Sequence, residues 1–243
     1  MANLPDRPAL GPYRGGIKFG LTYTHDALND DTLNVVPVAP HPAMGPLPPL
    51  TDWISPTTQW GAMDNDIVGD CVVACMGHLL ESWTTEVSVP IVVSNAEVLA
   101  AYSTLSGYNP NTGANDVGVD IGAAMTYWHQ VGFGGSRIVA ASRTLVAPAR
   151  LSAHDLQGAV ESAITWYGGA VLGLNLPAAA ITHFNDDQPW VGNIGPGLVA
   201  QAHCVPALSF DQDNLEVITW GRVQRMDWTF LQTCVILAGF VIL

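Results

Sequence analysis

The pattern of apolar and polar positions divides the chain into predicted elements. Asn65 to Cys71 reads as a loop, and the run from Val72 to Trp83 reads as an apolar helix with Asp70 as its N-cap and Cys71 at its first position. Ser94 and Glu97 have the capping-box spacing, which predicts a helix to about Ser106, ended by Gly107. Tyr108 to Gly118 is rich in turn residues. Asp120 caps a further helix carrying Ile121, Met125 and Trp128, stopped by Gly132 and Gly134-Gly135. Ser152 and Asp155 open another with Leu156, Val160, Ile164 and Trp166, closed by Gly168-Gly169. Ala170 to Leu176 reads as a buried strand, and 177–200 as a long connection without a period. Gln201 to Phe210 and Leu215 to Trp220 form a hairpin about an Asp211–Asn214 turn. Met226 to Leu237 has helical character, and Phe240 to Leu243 is a short strand closing the sheet. Helices followed by mostly antiparallel strands make an α+β plan in one domain, 58–243.

Residues 1–57 break this pattern. They hold ten of the 17 prolines, so regular helix or central strand is unfavourable and an extended Pro-rich N-terminal arm is expected. Ile17, Phe19, Leu21, Tyr23, Val35, Val36 and Trp53 make it too apolar for a solvated linker. It therefore lies either on its own domain or on neighbouring subunits of a homo-oligomer or virion.

Composition narrows the function classes. A net charge of -13 with eight basic residues gives no positive patch for nucleic acid or for an anionic membrane surface. The four cysteines do not look like a disulfide framework, and no basic segment followed by an apolar run marks a secretory signal. The expected setting is a reducing cytoplasm, that of a host cell, or a virion. The ten residues from Cys234 to Leu243 fall well short of the ~20 needed to span a bilayer.

Candidate chemistry centres on Cys71. A thiol at a helix N-terminus sits in a field that favours thiolate, whereas a cysteine in an apolar helix is also commonly a small buried hydrophobe. His203 lies in the first hairpin strand, and Thr219-Trp220-Gly221 ends the second. With Asn65-Asp66-x-x-Gly69-Asp70-Cys71, Ala202-His203-Cys204-Val205, Val217-Ile218-Thr219-Trp220-Gly221 and Met226-Asp227-Trp228, this order resembles papain-like cysteine peptidases, and in particular phage and bacterial C39-like proteins of that clan. The resemblance covers about residues 58–243.

The resemblance implies a papain-like α+β fold with Cys71 as nucleophile and His203 as the base that takes its proton. Asn65, six residues before Cys71, takes the place of the family's oxyanion-hole glutamine. The family's asparagine that orients the histidine falls on Ile218, which carries no hydrogen-bonding group. Thr219 replaces it only if the strand turns its other face to the site. The function implied is attack on a peptide, amide or thioester carbonyl, with no cofactor and no metal. The competing reading is a pseudoenzyme, a phage virion structural component that keeps the fold as a packing block and uses 1–57 for assembly. His203 as a satisfied core histidine, Asn65 as an Asx-turn cap and Trp220 as core filler belong to that reading. A metal site of Cys71, Cys75 and His78 is disfavoured, since Cys71 and His78 stand ~10 Å apart along a helix axis. His25, His41, His129, His154 and His183, and the Asp186-Asp187 pair, are read as surface or loop residues.

Overall fold

The computed structural model describes residues 2–22, 45–145, 153–192, 199–233 and 235–242. His25, His41, Tyr23, Val35 and Val36 lie outside them, as does the 37–42 part of the Pro-rich run. The elements are β1 (Leu21–Thr22), β2 (Thr51–Asp52), α1 (Cys71–Glu86), α2 (Asn95–Ser106), β3 (Val119–Asp120), α3 (Ile121–Gln130), β4 (Ala141–Leu145), α4 (Ala153–Tyr167), β5 (Ala170–Pro177), α5 (Ala178–Asn185), β6 (Val199–Phe210), β7 (Asn214–Thr219), β8 (Arg222–Asp227), α6 (Trp228–Thr233) and β9 (Val235–Ile242). Every residue from Cys71 to Ser82 is buried, so α1 is wrapped on all sides, as a helix without a polar face must be. The Ser94 hydroxyl and the Glu97 carboxylate satisfy each other's main-chain donors at the start of α2, and Gly107 ends it in the left-handed conformation. The Asp120 carboxylate caps α3 by accepting from the Ala123 N–H.

The strands form an antiparallel sheet in the order β4-β9-β5-β6-β7-β8, with β2 also paired to β6. One face packs on α1, with α2 and α3 packed on α1 in turn, through Val171, Cys204, Leu208 and Ile218. The other packs on α4, α5 and α6 through Leu172, Leu174, Val205, Phe210 and Val217. Side chains alternate across a strand, so Cys204 faces α1 while Val205 faces away from it.

Two expectations for the second half are corrected. The 177–200 connection contains helix α5. The expected helix from Met226 to Leu237 is instead the end of β8, the short α6 and the first residues of β9, which pairs with both β4 and β5. The turn between β7 and β8 is Trp220-Gly221, with φ of 46° and 76°. Two positive φ values match the right-handed twist of a two-residue hairpin, and Gly221 is required there because a Cβ would lie 2.9 Å from the Ala62 nitrogen.

The N-terminal segment lies on this domain. The Leu4 N–H donates to Asp211 at 3.0 Å, the Leu10 and Gly11 N–H groups to Asp187 at 2.9 Å, and the Tyr13 N–H to the Asn185 carbonyl at 2.7 Å. β1 then pairs in parallel with β3. Arg7 bonds Glu216 at 2.7 Å and Asp52 at 3.0 Å, and Arg225 takes the other Glu216 oxygen at 2.8 Å. The Glu216 side chain is fully buried, and the two guanidinium groups satisfy both of its oxygens. Arg7→Ala is expected to lower stability by about 2 kcal/mol, from the loss of charge-assisted bonds to a buried carboxylate, and to make 2–22 an early site of proteolysis. Urea unfolding and timed trypsin digestion check both.

Candidate active site

The loop before α1 turns through Met63 and Asp64, both with positive φ, and is pinned by the Ile67 and Val68 N–H groups donating to the Asp64 carbonyl. Asn65 is buried here and donates its side-chain amide to the Val68 carbonyl at 3.2 Å. That bond closes the loop, so the amide is not simply held ready for an oxyanion. Asp70 occupies the N-cap position but makes no side-chain cap hydrogen bond, contrary to the expected capping role. Both carboxyl oxygens are buried without a hydrogen-bond partner. Burial pushes this carboxyl up to about 8, with Asp64 and Asp116 adding to the rise and the neighbouring Asn65 amide opposing it. Asp70 is therefore a neutral acid at pH 7.

Cys71 opens α1 as expected, but its thiol is only 1% exposed. Burial pushes the thiol well above its usual range, and the nearby Cys204 thiol raises it further. Main-chain N–H groups of Cys204 and Gly20 donate toward the sulfur and oppose the rise. The thiolate-favouring field of the helix end is outweighed, because moving an ion out of water costs more than one helix terminus returns. Cys71 is a protonated thiol in this state.

His203 is buried, and its Nε2 lies 2.7 Å from the Thr219 hydroxyl. Its ring stacks on Trp220 at 4.4 Å and 15°, with the edge of Phe19 5.6 Å away. Burial lowers its pKa to about 3, so the ring is neutral. Nδ1 is buried without a partner. With the proton on Nε2 donated to Thr219, Nδ1 presents a bare lone pair, the form a general base needs. Thr219 reaches the ring because Ile218 packs in the α1-side cluster and the next residue must point the other way. A tryptophan with φ of 46° is a strained residue, costing on the order of 1–2 kcal/mol, and the stacking on His203 accompanies that strain.

The structure brings His203, Thr219 and Trp220 together. It sets the Cys71 sulfur against the main chain of Cys204, one residue after His203. Among the described residues no hydrogen bond joins the Cys71 thiol to the His203 ring, so the proton-sharing pair expected from sequence is not formed in this state.

A segment of the N-terminal arm covers this site. Residues 16–22 lie across the loop before α1. Phe19 contacts His203 and Trp220, the Lys18 carbonyl accepts from the Trp220 indole at 3.1 Å, and the Gly20 N–H meets the Cys71 sulfur. A Cβ on Gly20 would fall inside the van der Waals envelope of the Gly69 carbonyl oxygen. The Gly20 carbonyl in turn accepts from the Val119 N–H at 2.7 Å. This cover was not deduced from sequence, although the Ile17, Phe19, Leu21 alternation marks a segment that must lie on something.

A groove of about 1430 Å³ runs elsewhere between the helical and sheet halves, lined in part by Arg7, Trp60, Glu81, Val92, Glu216 and Arg225. Neither Cys71 nor His203 lines it. Of the other described histidines, buried His78 meets the Gly61 carbonyl and the Trp60 ring, while His129 and His183 meet the nearby Ile138 and Pro189 carbonyls. The His154 side chain lies outside the description. Among the described residues no three His, Cys, Asp or Glu side chains converge to hold a metal ion, and no helix is long and apolar enough to cross a membrane.

No family model matches the chain, and neither does any curated protein. Solved structures do. The chain is similar to digestive procathepsin L2 proteinase from Tenebrio molitor larval midgut, with a TM-score of 0.63 at 14% identity over 96% of this chain and 84% of that one. It is similar to xylellain, a cysteine protease from Xylella fastidiosa, with a TM-score of 0.58 at 12% identity over 98% of both chains. It is also similar to procathepsin B S9 from Trypanosoma congolense, with a TM-score of 0.59 at 10% identity over 92% and 85%. The chain has the papain-like cysteine-protease fold.

Proposed function

We propose that this chain is a papain-fold cysteine hydrolase held latent by its own residues 16–22, acting on an amide or thioester carbonyl once that segment is displaced. The observation that carries the reading is His203. Its Nε2 is engaged by Thr219, its ring is fixed on Trp220, and its Nδ1 is left unpaired one residue from the Cys71 contact. A buried nitrogen without a partner costs stability, and a catalytic role accounts for its retention. In the open state Nδ1 takes the Cys71 proton as the sulfur attacks the carbonyl carbon. The C–O π pair moves to oxygen and meets the Cys71 N–H, which as the first residue of α1 has no intrahelical acceptor. Asn65 joins that donor on turning from Val68. Collapse of the adduct expels the amine or thiol with the proton returned from His203, and water then clears the acyl-enzyme.

A second reading rests on the same cover. A Cys71 buried in the core and a cover anchored by Arg7, Asp187 and Asp211 also suit a catalytically silent component of a virion, for which the fold is architecture.

Acylation of Cys71 by an activated thioester, followed by intact mass, separates the two. The hydrolase reading predicts an adduct in Gly20→Ala, none in Gly20→Ala with Cys71→Ser, and a rate at least tenfold lower on adding Thr219→Val. The last change removes the hydroxyl at Nε2 and also costs about 1–3 kcal/mol of stability. A folded Gly20→Ala protein with an exposed, unreacted Cys71 supports the silent reading.

A further inference from the structure

The covering segment crosses the site where there is room for backbone alone. Gly20 lies against Gly69, two residues before Cys71, and against Gly118, the residue before β3. A Cβ on Gly20 would overlap the Gly69 carbonyl, and a Cβ on Gly118 would overlap the carbonyl of Gly20. A Cβ on Gly69 would lie 2.7 Å from the Phe19 carbonyl oxygen and 2.9 Å from Asp116 Oδ1. The φ of Gly20 is outside the left-handed region, so close approach rather than conformation requires glycine there. The two walls are tied by one chain of hydrogen bonds. The Gly118 N–H donates to the Tyr102 hydroxyl at 3.0 Å, that hydroxyl donates to Asp116 Oδ1 at 2.8 Å, and the same oxygen accepts the Gly69 N–H at 2.8 Å. Tyr102 is fully buried on α2, and Asp116 Oδ2 stands 3.9 Å from Lys18 Nζ of the cover. The mechanism uses neither side chain.

We propose that Tyr102 and Asp116 are positioning residues for specificity: they hold Gly69 and Gly118 at a spacing that admits only glycine, so the site takes peptides with a glycine in the place of Gly20. This rests on the reading that residues 16–22 occupy the place of substrate. The Val119 N–H, which donates to the Gly20 carbonyl at 2.7 Å, offers the same bond to any residue and so fixes register without choosing a side chain. The choice comes from the walls. A methyl group on the entering residue meets the Gly69 carbonyl, a backbone atom whose own N–H is anchored on Asp116, so the wall does not swing aside. Loss of the Tyr102 hydroxyl frees Gly118 from Gly69 and lets the slot widen.

The test uses the full chain carrying Gly20→Ala, whose own segment no longer fits, and two synthetic peptides of residues 16–22, one with glycine and one with alanine at the Gly20 position. Protection of Cys71 from iodoacetamide is followed by peptide mapping. At equal concentration the glycine peptide should slow labelling at least about tenfold more than the alanine peptide. Adding Tyr102→Phe should shrink that ratio to about threefold or less, through loss of one hydrogen bond between the walls. Asp116→Asn should keep the ratio, because its amide oxygen still accepts from Gly69 and Tyr102. A merely structural Tyr102 would weaken both peptides alike and leave the ratio unchanged, which overturns the assignment. Equal protection by the two peptides, protection by neither, or a Cys71 that stays masked in Gly20→Ala without peptide would overturn it too. Should Tyr102→Phe fail to fold, the two peptides on Gly20→Ala alone decide. Protection requires binding and no chemistry, so a protein that fails the thioester acylation test can still select glycine here, and one that passes it can fail to.

Discussion

Asp70→Asn is expected to stabilise the folded chain at pH 8 by several kcal/mol and to remove part of its pH dependence. The wild-type carboxyl moves from 3.8 in the open chain to about 8 when folded, because it is buried without a hydrogen-bond donor and lies near Asp64 and Asp116. Between those values the folded state holds a proton that the unfolded state has released. Stability therefore falls as pH rises from about 4 and levels off near 8, by an amount on the order of 5 kcal/mol. Asparagine carries no charge and loses this decline, although its own buried amide costs about 1–3 kcal/mol of the gain. Glu81 is also raised by burial, to about 7, and contributes a decline of the same sign in both proteins. The informative quantity is the difference in urea midpoints between the two proteins at pH 4, 6 and 8. It should widen with pH. A difference that stays constant would mean that Asp70 is ionised in the folded state.

Gly20→Ala should open the site. The added methyl meets the Gly69 carbonyl, a backbone atom that cannot swing aside, so residues 16–22 must lift. Overpacking of this kind typically costs 1–3 kcal/mol. The cost should be local, because the outer anchors at Arg7, Leu4 and Asp187 are untouched. Amide exchange should rise in residues 16–22 and at Val119, whose N–H bonds the Gly20 carbonyl. Alkylation of Cys71 should accelerate by at least tenfold while exchange in β5 and β6 stays slow. Uniformly faster exchange would instead show that the segment is part of the cooperative core.

Much of the first half was legible because its signals are local. The Ser94 and Glu97 capping box, the Asp120 cap and the Gly107 stop each act within four residues of the helix they bound. The second half was harder. The apolar stretch after Met226 suits a buried helix or a strand covered on both faces, and only pairing with β4 and β5 decides for β9. Trp220-Gly221 was not legible as a hairpin turn, since tryptophan at positive φ runs against propensity, and β8 was missed with it. In the site, the order Cys71 then His203 was visible, whereas Thr219 entered only as a substitute for Ile218 that required the strand to turn its other face, and the hydrogen bond to His203 shows that it does. The ionisation of Cys71 was not. A helix start argues for thiolate, and the burial that reverses this comes from Gly20 and Cys204, far away in sequence. The unpartnered Asp70 is likewise a property of the folded loop, since from sequence it reads as an ordinary cap.

In the hydrolase, Cys71 and His203 act as a pair once uncovered. The pH dependence of iodoacetamide labelling of Cys71 in Gly20→Ala, with and without His203→Ala, measures this. Coupling predicts labelling that titrates well below the ~8.5 of a free thiol and moves up when the imidazole is removed. Labelling that follows the same titration in both proteins, with Cys71 exposed, would contradict it and leave the fold as architecture.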